Sequence, residues 1–468
     1  MKKNKNAILV SPPISTFERY GKLADVGSVT PSLGICYIAS ILEKEGYSVG
    51  IVDAEVLKLS MDETVDKILS NTPRVVGITS TMNTFHSAIV LGQKLKQAEP
   101  EIYLVLGGPY VSALTTGALD KAFDFGVYGE GEHTFLELMK FLDHRGEISE
   151  IDGLIYKDNG EFKLNKPRKY IEPLDSIPPP ARHLLPDLKL YRPNAQSYRK
   201  LPATTIITSR GCPFNCIFCD RSTFGKKYRA HSAEYVVDEI QMLIEQFGIK
   251  EIWFVDDTFT IDKNRVMQIC NMIMERNLDI SWSCLGRVGT VTIEMLKMMK
   301  KAGCWMIAYG IETGNQGVMN YIKKGITLEQ AEQAVKWTKE AGLLPKGYFM
   351  LGYPVDTLET IDETIAFARS LSLDYALFTI TTPLPNTELF EICKSVGKLV
   401  HTDLSKFSAW EAVYEPPGVS AKQLTAKHRE AYKTFYFRPS YIFRQLKNIR
   451  GIDDLWRHIN AFIALIRF

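Results

Sequence analysis

The sequence predicts an α/β protein in three parts: a doubly wound parallel sheet, a partial (β/α)6 barrel and a helical C-terminal tail. Two runs of alternating strand and helix patterns, a proline-rich break between them, and a cysteine cluster at the end of the second run's first strand carry that prediction. A chain of 468 residues is too long for one ordinary core, so more than one domain is expected. Hydrophobic residues at 45% and charged residues at 24% give the balance of a soluble globular protein. A net charge of +2 offers no electrostatic case for nucleic acid, and none is expected as a partner. The apolar run at 7–10 is too short for a signal peptide, and no stretch approaches the ~20 apolar residues of a membrane span. The expected location is the cytoplasm.

In the first run, strands are expected at 7–11, 49–53, 75–79, 102–106 and 125–128, with helices at 32–45, 61–70 and 84–98 and a last one from the turn at 129–132 to about 144. Strands that alternate with helices pair in parallel with helices on both faces. Ligands of such sheets bind beyond the strand carboxyl ends, where Gly107-Gly108-Pro109 and Gly129-Glu130-Gly131 fall. A hairpin at 153–156 and 162–164, then Pro178, Pro179, Pro180, Pro186, Pro193 and Pro202, mark a linker, because proline removes donors and stops regular elements. The second run has strands at 204–209, 251–255, 280–284, 305–311, 347–351 and 375–380, with helices at 233–247, 263–276, 293–302, 328–341 and 358–371. Six β/α units make a partial barrel or a strongly curved sheet. The expected domains are 1–145, a linker at 146–200, 201–400 and a helical extension at 401–468.

Eight cysteines in a cytosolic chain are not read as a disulfide framework. Cys36, Cys270, Cys284, Cys304 and Cys393 sit at apolar strand or helix positions and read as small buried hydrophobes. Cys212, Cys216 and Cys219 differ: they form C-x3-C-x2-C in the loop after the first strand of the second run. Thiolates are the usual ligands of iron–sulfur clusters, and a short loop can wrap three round one cubane. Three ligands for four irons leave one iron open, and an open coordination position marks a reactive centre, as it does for zinc. A zinc site would want a fourth Cys or His nearby, and the closest histidine in sequence, His231, lies twelve residues past Cys219.

The segment from Ser209 to Cys219 resembles the signature of the radical S-adenosylmethionine superfamily, with Phe218 as the aromatic before the last cysteine. The resemblance implies a TIM-like partial barrel and a 4Fe–4S cluster on Cys212, Cys216 and Cys219. Its open iron would chelate S-adenosylmethionine, and reductive cleavage would give a 5′-deoxyadenosyl radical that abstracts a hydrogen atom. The cofactors carry that chemistry, while the protein supplies position and exclusion. Tyr309-Gly310-Ile311-Glu312 resembles the strand whose acidic residue holds the ribose, which points to Glu312. Arg287, after the third strand, is placed to pair with the methionyl carboxylate, for which a guanidinium fork is suited. Phe349 to Pro354 resembles the apolar strand and glycine turn beside adenine, which points to Gly352. Asp256-Asp257, ending the second strand, either bind polar groups of the ligand or cap the following helix.

The first run resembles the Rossmann-like cobalamin-binding domain fused to many radical S-adenosylmethionine enzymes. The matching pieces are Thr30 to Gly34 with Tyr37, Gly77 to Thr81, Gly107-Gly108-Pro109 and Val127 to Glu132, and the likeness spans roughly residues 5–400. It implies cobalamin contacts at Thr79, Ser80, Gly107, Gly108, Pro109, Gly129 and Gly131. One departure stands out: the loop after the first strand reads Ser11-Pro12-Pro13-Ile14-Ser15-Thr16, without the D-x-H-x-x-G whose histidine ligates cobalt from below. The implied activity is C-methylation of an unactivated carbon with methylcobalamin as donor. Oxidative cyclisation or rearrangement shares every motif, and a non-catalytic cobalamin or redox sensor is the rival of another class. Implied partners are a small-molecule or lipid-like substrate and a low-potential electron donor of the flavodoxin or ferredoxin type.

In the tail, Arg438, Arg444, Lys447, Arg450, Arg457 and Arg467 are interleaved with Tyr436, Tyr441, Trp456, Phe462 and Phe468. That pattern suits either a helix capping the domain or an interfacial helix on anionic lipid. The segment resembles tails of cobalamin-dependent radical enzymes that act on porphyrin or polyisoprenoid-type lipids, which implies peripheral membrane contact.

Overall fold

The computed structural model describes residues 6–21, 24, 27–194, 196–401 and 403–448. The chain forms two compact units, one drawn from Met1–Arg19, Val29–Tyr191 and Asp220–Arg229, the other from Tyr20–Ser28, Arg192–Cys219 and Ala230–Phe468.

The first unit runs β1 (Ala7–Ser11), α1 (Leu33–Lys44), β2 (Val49–Asp53), α2 (Met61–Leu69), β3 (Val75–Thr79), α3 (Phe85–Ala98), β4 (Tyr103–Gly107), α4 (Pro109–Leu114), β5 (Phe125–Val127) and α5 (Gly131–Leu142). Its strands are short, apolar and buried along most of their length, as strands covered on both faces must be. The order β2-β1-β3-β4-β5 is all parallel and reverses direction between β1 and β3. The hairpin expected in the linker joins this sheet: β6 (Leu154–Asp158) pairs antiparallel with β5, and β7 (Glu161–Leu164) with β6, giving seven strands. Its turn, Asn159-Gly160, has φ of +51° and +87°, the left-handed pair that closes a two-residue hairpin.

The second unit places β8 (Ala203–Ile206), β9 (Glu251–Phe254), β10 (Ser281–Gly286), β11 (Cys304–Glu312), β12 (Leu344–Leu351) and β13 (Tyr375–Ile380) side by side in chain order, all parallel. Between them lie α6 (Ala233–Phe247), α7 (Lys263–Glu275), α8 (Ile293–Lys301), α9 (Gln316–Tyr321), α10 (Leu328–Glu340) and α11 (Leu358–Ser370). Side-chain caps decide where these helices begin. Ser232, Asp262, Thr292, Thr327 and Thr357 each accept a hydrogen bond from the amide three residues on. Past β13 come α12 (Glu388–Ser395), α13 (Ala421–Tyr436) and α14 (Pro439–Asn448).

Six strands leave an open edge at β13, and α13 covers it. The Tyr436 hydroxyl donates to Ala376 O (2.6 Å) and accepts from Ala376 N (3.0 Å), while Tyr432 does the same at Phe378 (3.0 and 3.3 Å). Two phenols thus take the place of a missing strand, and the edge is not left to pair with another chain. The described start of the tail is therefore part of the barrel's core: Tyr432, Phe435, Tyr436 and Tyr441 are buried, and Tyr441 donates to Asp374 O at 3.0 Å. Ile442 and Phe443 on α14 are exposed. The side chains of Arg444 and Lys447, and Arg450, Trp456, Arg457, Phe462, Arg467 and Phe468, lie outside the described residues. Among the described residues no helix is long and apolar enough to cross a membrane.

Replacing Tyr436 by Phe takes the side-chain partner from a buried amide and carbonyl, and replacing Tyr432 by Phe takes it from the Phe378 amide while His428 Nε2 stays 2.9 Å from the Phe378 carbonyl. Each substitution is expected to lower unfolding free energy by about 1–3 kcal/mol, read as a shift in the urea midpoint at unchanged slope. An unchanged midpoint would mean that α13 does not close the edge.

Candidate active site at the strand ends

The cysteine loop leaves β8 through a turn that only glycine adopts without strain: Gly211 has φ +83°. Its position is set by Asp256, a fully buried carboxylate just past β9. Asp256 accepts from Thr208 N (2.6 Å), Thr208 Oγ1 (2.5 Å) and Ser209 Oγ (2.6 Å). Of the Asp256-Asp257 pair, neither caps the next helix, whose cap is Asp262: Asp256 anchors the loop, and Asp257 is exposed and its charge acts on Cys212. Burial pushes its carboxyl above the usual carboxylate range, against the pull of Arg265 and the three donors. Further along, Ile217 is sunk in a core of Val318, Ile322, Tyr353, Leu389 and Tyr414, and its backbone is bonded to Ile322 O (3.1 Å) and Leu389 N (3.0 Å).

The thiols of Cys212, Cys216 and Cys219 run from half-buried through buried to exposed. Cys216 is driven toward thiolate, to about 6, first by the hydrogen bond from Cys219 and then by the cations of Lys324 and Arg287. Three soft donors on one loop beside two cations match the needs of a multi-iron thiolate cluster, whose negative charge the cations offset. The zinc alternative lacks its fourth ligand: His231 stacks on Tyr235 at 3.9 Å between ring centroids. Among the described residues no three His, Cys, Asp or Glu side chains converge on a point for a single ion. A cubane, which spreads its thiolates over separate irons, does not ask for that convergence.

Around the loop the structure gathers the other expected residues. Arg287 is buried, lies 3.7 Å above the Phe214 ring, reaches within 3.9 Å of Cys216 Sγ and donates to Lys324 O. Glu312 accepts from Lys324 Nζ at 2.7 Å, and both side chains are only 8% exposed. Glu312 ends β11 at φ +73°, beyond a register shift between Gly310 and Glu312. A non-glycine residue held there is strained, and such strain gathers at functional sites. The Lys324 ammonium lies 5.6 Å from the Phe218 ring centroid, and that ring is 6.0 Å from Tyr353. Gly352 has φ +94°, donates to Asp356 Oδ2 at 2.9 Å, and leaves no room for a Cβ, which would meet Leu424 at 2.7 Å. Sequence reasoning named Phe218, Arg287, Glu312 and Gly352, which the structure places round the loop, and did not name their neighbours Lys324, Phe214 and Asp356. The doublet Lys323-Lys324 carries no local sign that one lysine is buried.

In the first unit the expected residues meet at the carboxyl ends of β3, β4 and β5. Ser80 N and Oγ both donate to Gly107 O at 2.8 Å, and Tyr110 N donates to Ser80 O at 3.1 Å. Gly108, at φ +94°, brings its backbone so close to Thr79 and Ser80 that a Cβ would lie 2.6 Å from Ser80 O. Pro109 is the first residue of α4, and Gly131 the first of α5. Gly129 N donates to Ser112 Oγ at 3.0 Å, and a Cβ on Gly129 would stand in open space. The two glycine turns thus place backbone with little side chain at the ends of neighbouring strands, where a ligand can approach closely.

A cysteine loop at a parallel barrel's rim and a glycine-lined rim on a doubly wound sheet define a two-cofactor enzyme class. The family model described as the radical SAM superfamily matches residues 206–368, and that of the B12 binding domain matches residues 22–139. The chain is 36% identical over 454 residues to an uncharacterized methyltransferase of Pyrococcus horikoshii, covering 96% of each. It is 28% identical over 429 residues to the anaerobic magnesium-protoporphyrin IX monomethyl ester cyclase of Rubrivivax gelatinosus, covering 90% of this chain and 76% of that one. Its fold is like that of the cobalamin-dependent S-adenosylmethionine radical enzyme OxsB, with a TM-score of 0.76 at 16% identity over 97% of this chain and 71% of the other. The chain belongs to the radical S-adenosylmethionine superfamily, in the group that carries a B12-binding domain. It is an enzyme whose cofactors are a 4Fe–4S cluster, S-adenosylmethionine and cobalamin.

Asp256→Ala removes the acceptor of three buried donors, each of which costs about 1–3 kcal/mol when left bare. The expected result is protein that keeps its far-UV circular dichroism but loads less than half the normal iron and sulfide on anaerobic reconstitution. Full loading would show that other contacts shape the loop.

Proposed function

We propose that this enzyme methylates an unactivated carbon of a small-molecule or lipid-like substrate. The observation that carries the reading is the end-to-end likeness, at 36% identity, to a protein named a methyltransferase, in a chain with both cofactor domains. Oxidative cyclisation is the second reading, favoured by the likeness to the Rubrivivax gelatinosus cyclase. When bound, the cofactors supply one-electron cleavage of S-adenosylmethionine and delivery of a methyl group.

In this reading Cys212, Cys216 and Cys219 hold the cluster. Arg287 and Lys324 balance its charge, and Arg287 faces the methionyl carboxylate. Glu312, oriented by Lys324, holds the ribose; Phe218 and the turn at Gly352 border the nucleoside. Thr79, Ser80, Gly107, Gly108, Pro109, Gly129 and Gly131 seat the corrin. The chain divides by task into 1–145 for cobalamin, 146–200 as a connector whose hairpin extends the first sheet, 201–400 for the cluster and 401–468 as an extension whose helix α13 closes the barrel edge. A flavodoxin- or ferredoxin-type donor supplies the electron. Contact with a membrane surface is the finer proposal for the tail, supported by the exposed Ile442 and Phe443.

The test is mass spectrometry on anaerobically reconstituted protein with cobalamin, S-adenosylmethionine and a strong reductant. Methylation predicts both 5′-deoxyadenosine and S-adenosylhomocysteine, and loss of deoxyadenosine in Cys216→Ala. Deoxyadenosine alone would move the assignment to cyclisation.

A further inference from the structure

Lys346 lies on β12 with its side chain inside the barrel. Strand alternation fixes the direction: Tyr309, on the neighbouring strand β11, bonds Thr338 of α10 outside the barrel at 2.8 Å, and its register partner is Gly347. Residues one step either side, Lys346 and Tyr348, therefore face inward. Lys346 is 2% exposed. One inward-facing step below it, Met306 and its register partner Leu344 pack with Trp305 and Tyr375 in a buried apolar cluster. Beside it stand Ala308 and Tyr375, its register partners on β11 and β13, and alanine leaves space there. Above it Tyr348 and Leu377, and on its own level Leu285, are only partly buried although they point into the barrel, so they keep accessible surface on the lumen side.

The ammonium has no carboxylate among the described residues. Its one recorded contact is the Tyr348 ring, 5.3 Å from Nζ to the centroid. Burial alone acts on it and pulls it down to about 8. A lysine buried without a counter-ion is costly and is usually paired or functional. The Glu312–Lys324 pair borders Gly310, the register partner of Tyr348 and one inward-facing step above Ala308. Lys346 thus sits one residue pair, roughly 7 Å, deeper than the nucleoside-side residues.

We infer that Lys346 is the anchor for an anionic head group of the substrate, which enters head-first with an apolar body lying along Tyr348, Leu377 and Leu285. This rests on the reading that the barrel lumen is the substrate site, and it narrows the substrate to an apolar molecule with a carboxylate or phosphate at one end. The reacting carbon then lies at a fixed distance from that head group.

The experiment is calorimetric titration of the anaerobically reconstituted full chain, with S-adenosylmethionine present to occupy the open iron, using 1-octanol, octanoate and octyl phosphate as probes. The expected result is that at least one anion binds about tenfold or more tightly than octanol, and the better anion identifies the head group. Lys346→Met should remove that preference while melting no lower than the wild type. Ala308→Val, which narrows the space and keeps the charge, should weaken the preferred anion severalfold. Equal binding of all three probes to the wild type, or a preference that survives Lys346→Met, would overturn the inference. Because no turnover is measured, failure here leaves the methylation reading standing, and failure of that reading leaves this result interpretable.

Discussion

Asp256 is a carboxylate with no access to water, and such a group is tolerated only where donors surround it. Here the donors are two residues of the segment that leads into the cysteine loop, Thr208 and Ser209. Satisfying the buried charge therefore also fixes where that loop starts. From this anchor the rest follows in order: Gly211 turns the chain, Ile217 plugs into the core, and the thiols fall beside Arg287 and Lys324. The loop is irregular in conformation yet held at its entrance, its middle and its charged flank.

Both sheets face the same difficulty, an edge with unpaired backbone groups, and solve it differently. The first is extended by an antiparallel hairpin after β5. The second stops at six strands, and the hydroxyls of Tyr432 and Tyr436 bond the edge of β13 from a helix. A helix-borne phenol can both donate and accept at one residue, so it mimics a strand without continuing the sheet. An open, curved sheet keeps a wider lumen than a closed barrel, and the lumen is where the part-exposed Leu285, Tyr348 and Leu377 lie.

Charge is concentrated at the rim at a conformational cost. Glu312 is held in the left-handed region and paired in a desolvated setting with Lys324. A buried pair is weak evidence for stability, because desolvation offsets most of the attraction. Its value here is orientation: the bond fixes both side chains beside Phe218 and the cysteines.

What could be read from the sequence was what depends on near neighbours. Alternation of apolar residues placed the strands and helices of both runs within a residue or two, except the end of β8 and the start of β12, which it missed by three, and C-x3-C-x2-C marked the cluster loop. The glycine turns at 107–108 and 129–131 were legible because a tight turn at a strand end is a local demand. What tertiary structure alone decided were pairings across distance: Asp256 with Thr208, Tyr436 with Ala376, Arg287 with Phe214. Adjacent lysines make the point. Lys323 is half exposed and pairs with Glu388, while Lys324 is buried against Glu312. Their sequence surroundings are nearly the same. Their fates differ because the turn after α9 aims one side chain at solvent and the other at the cluster loop, and burial depends on that direction rather than on residue type.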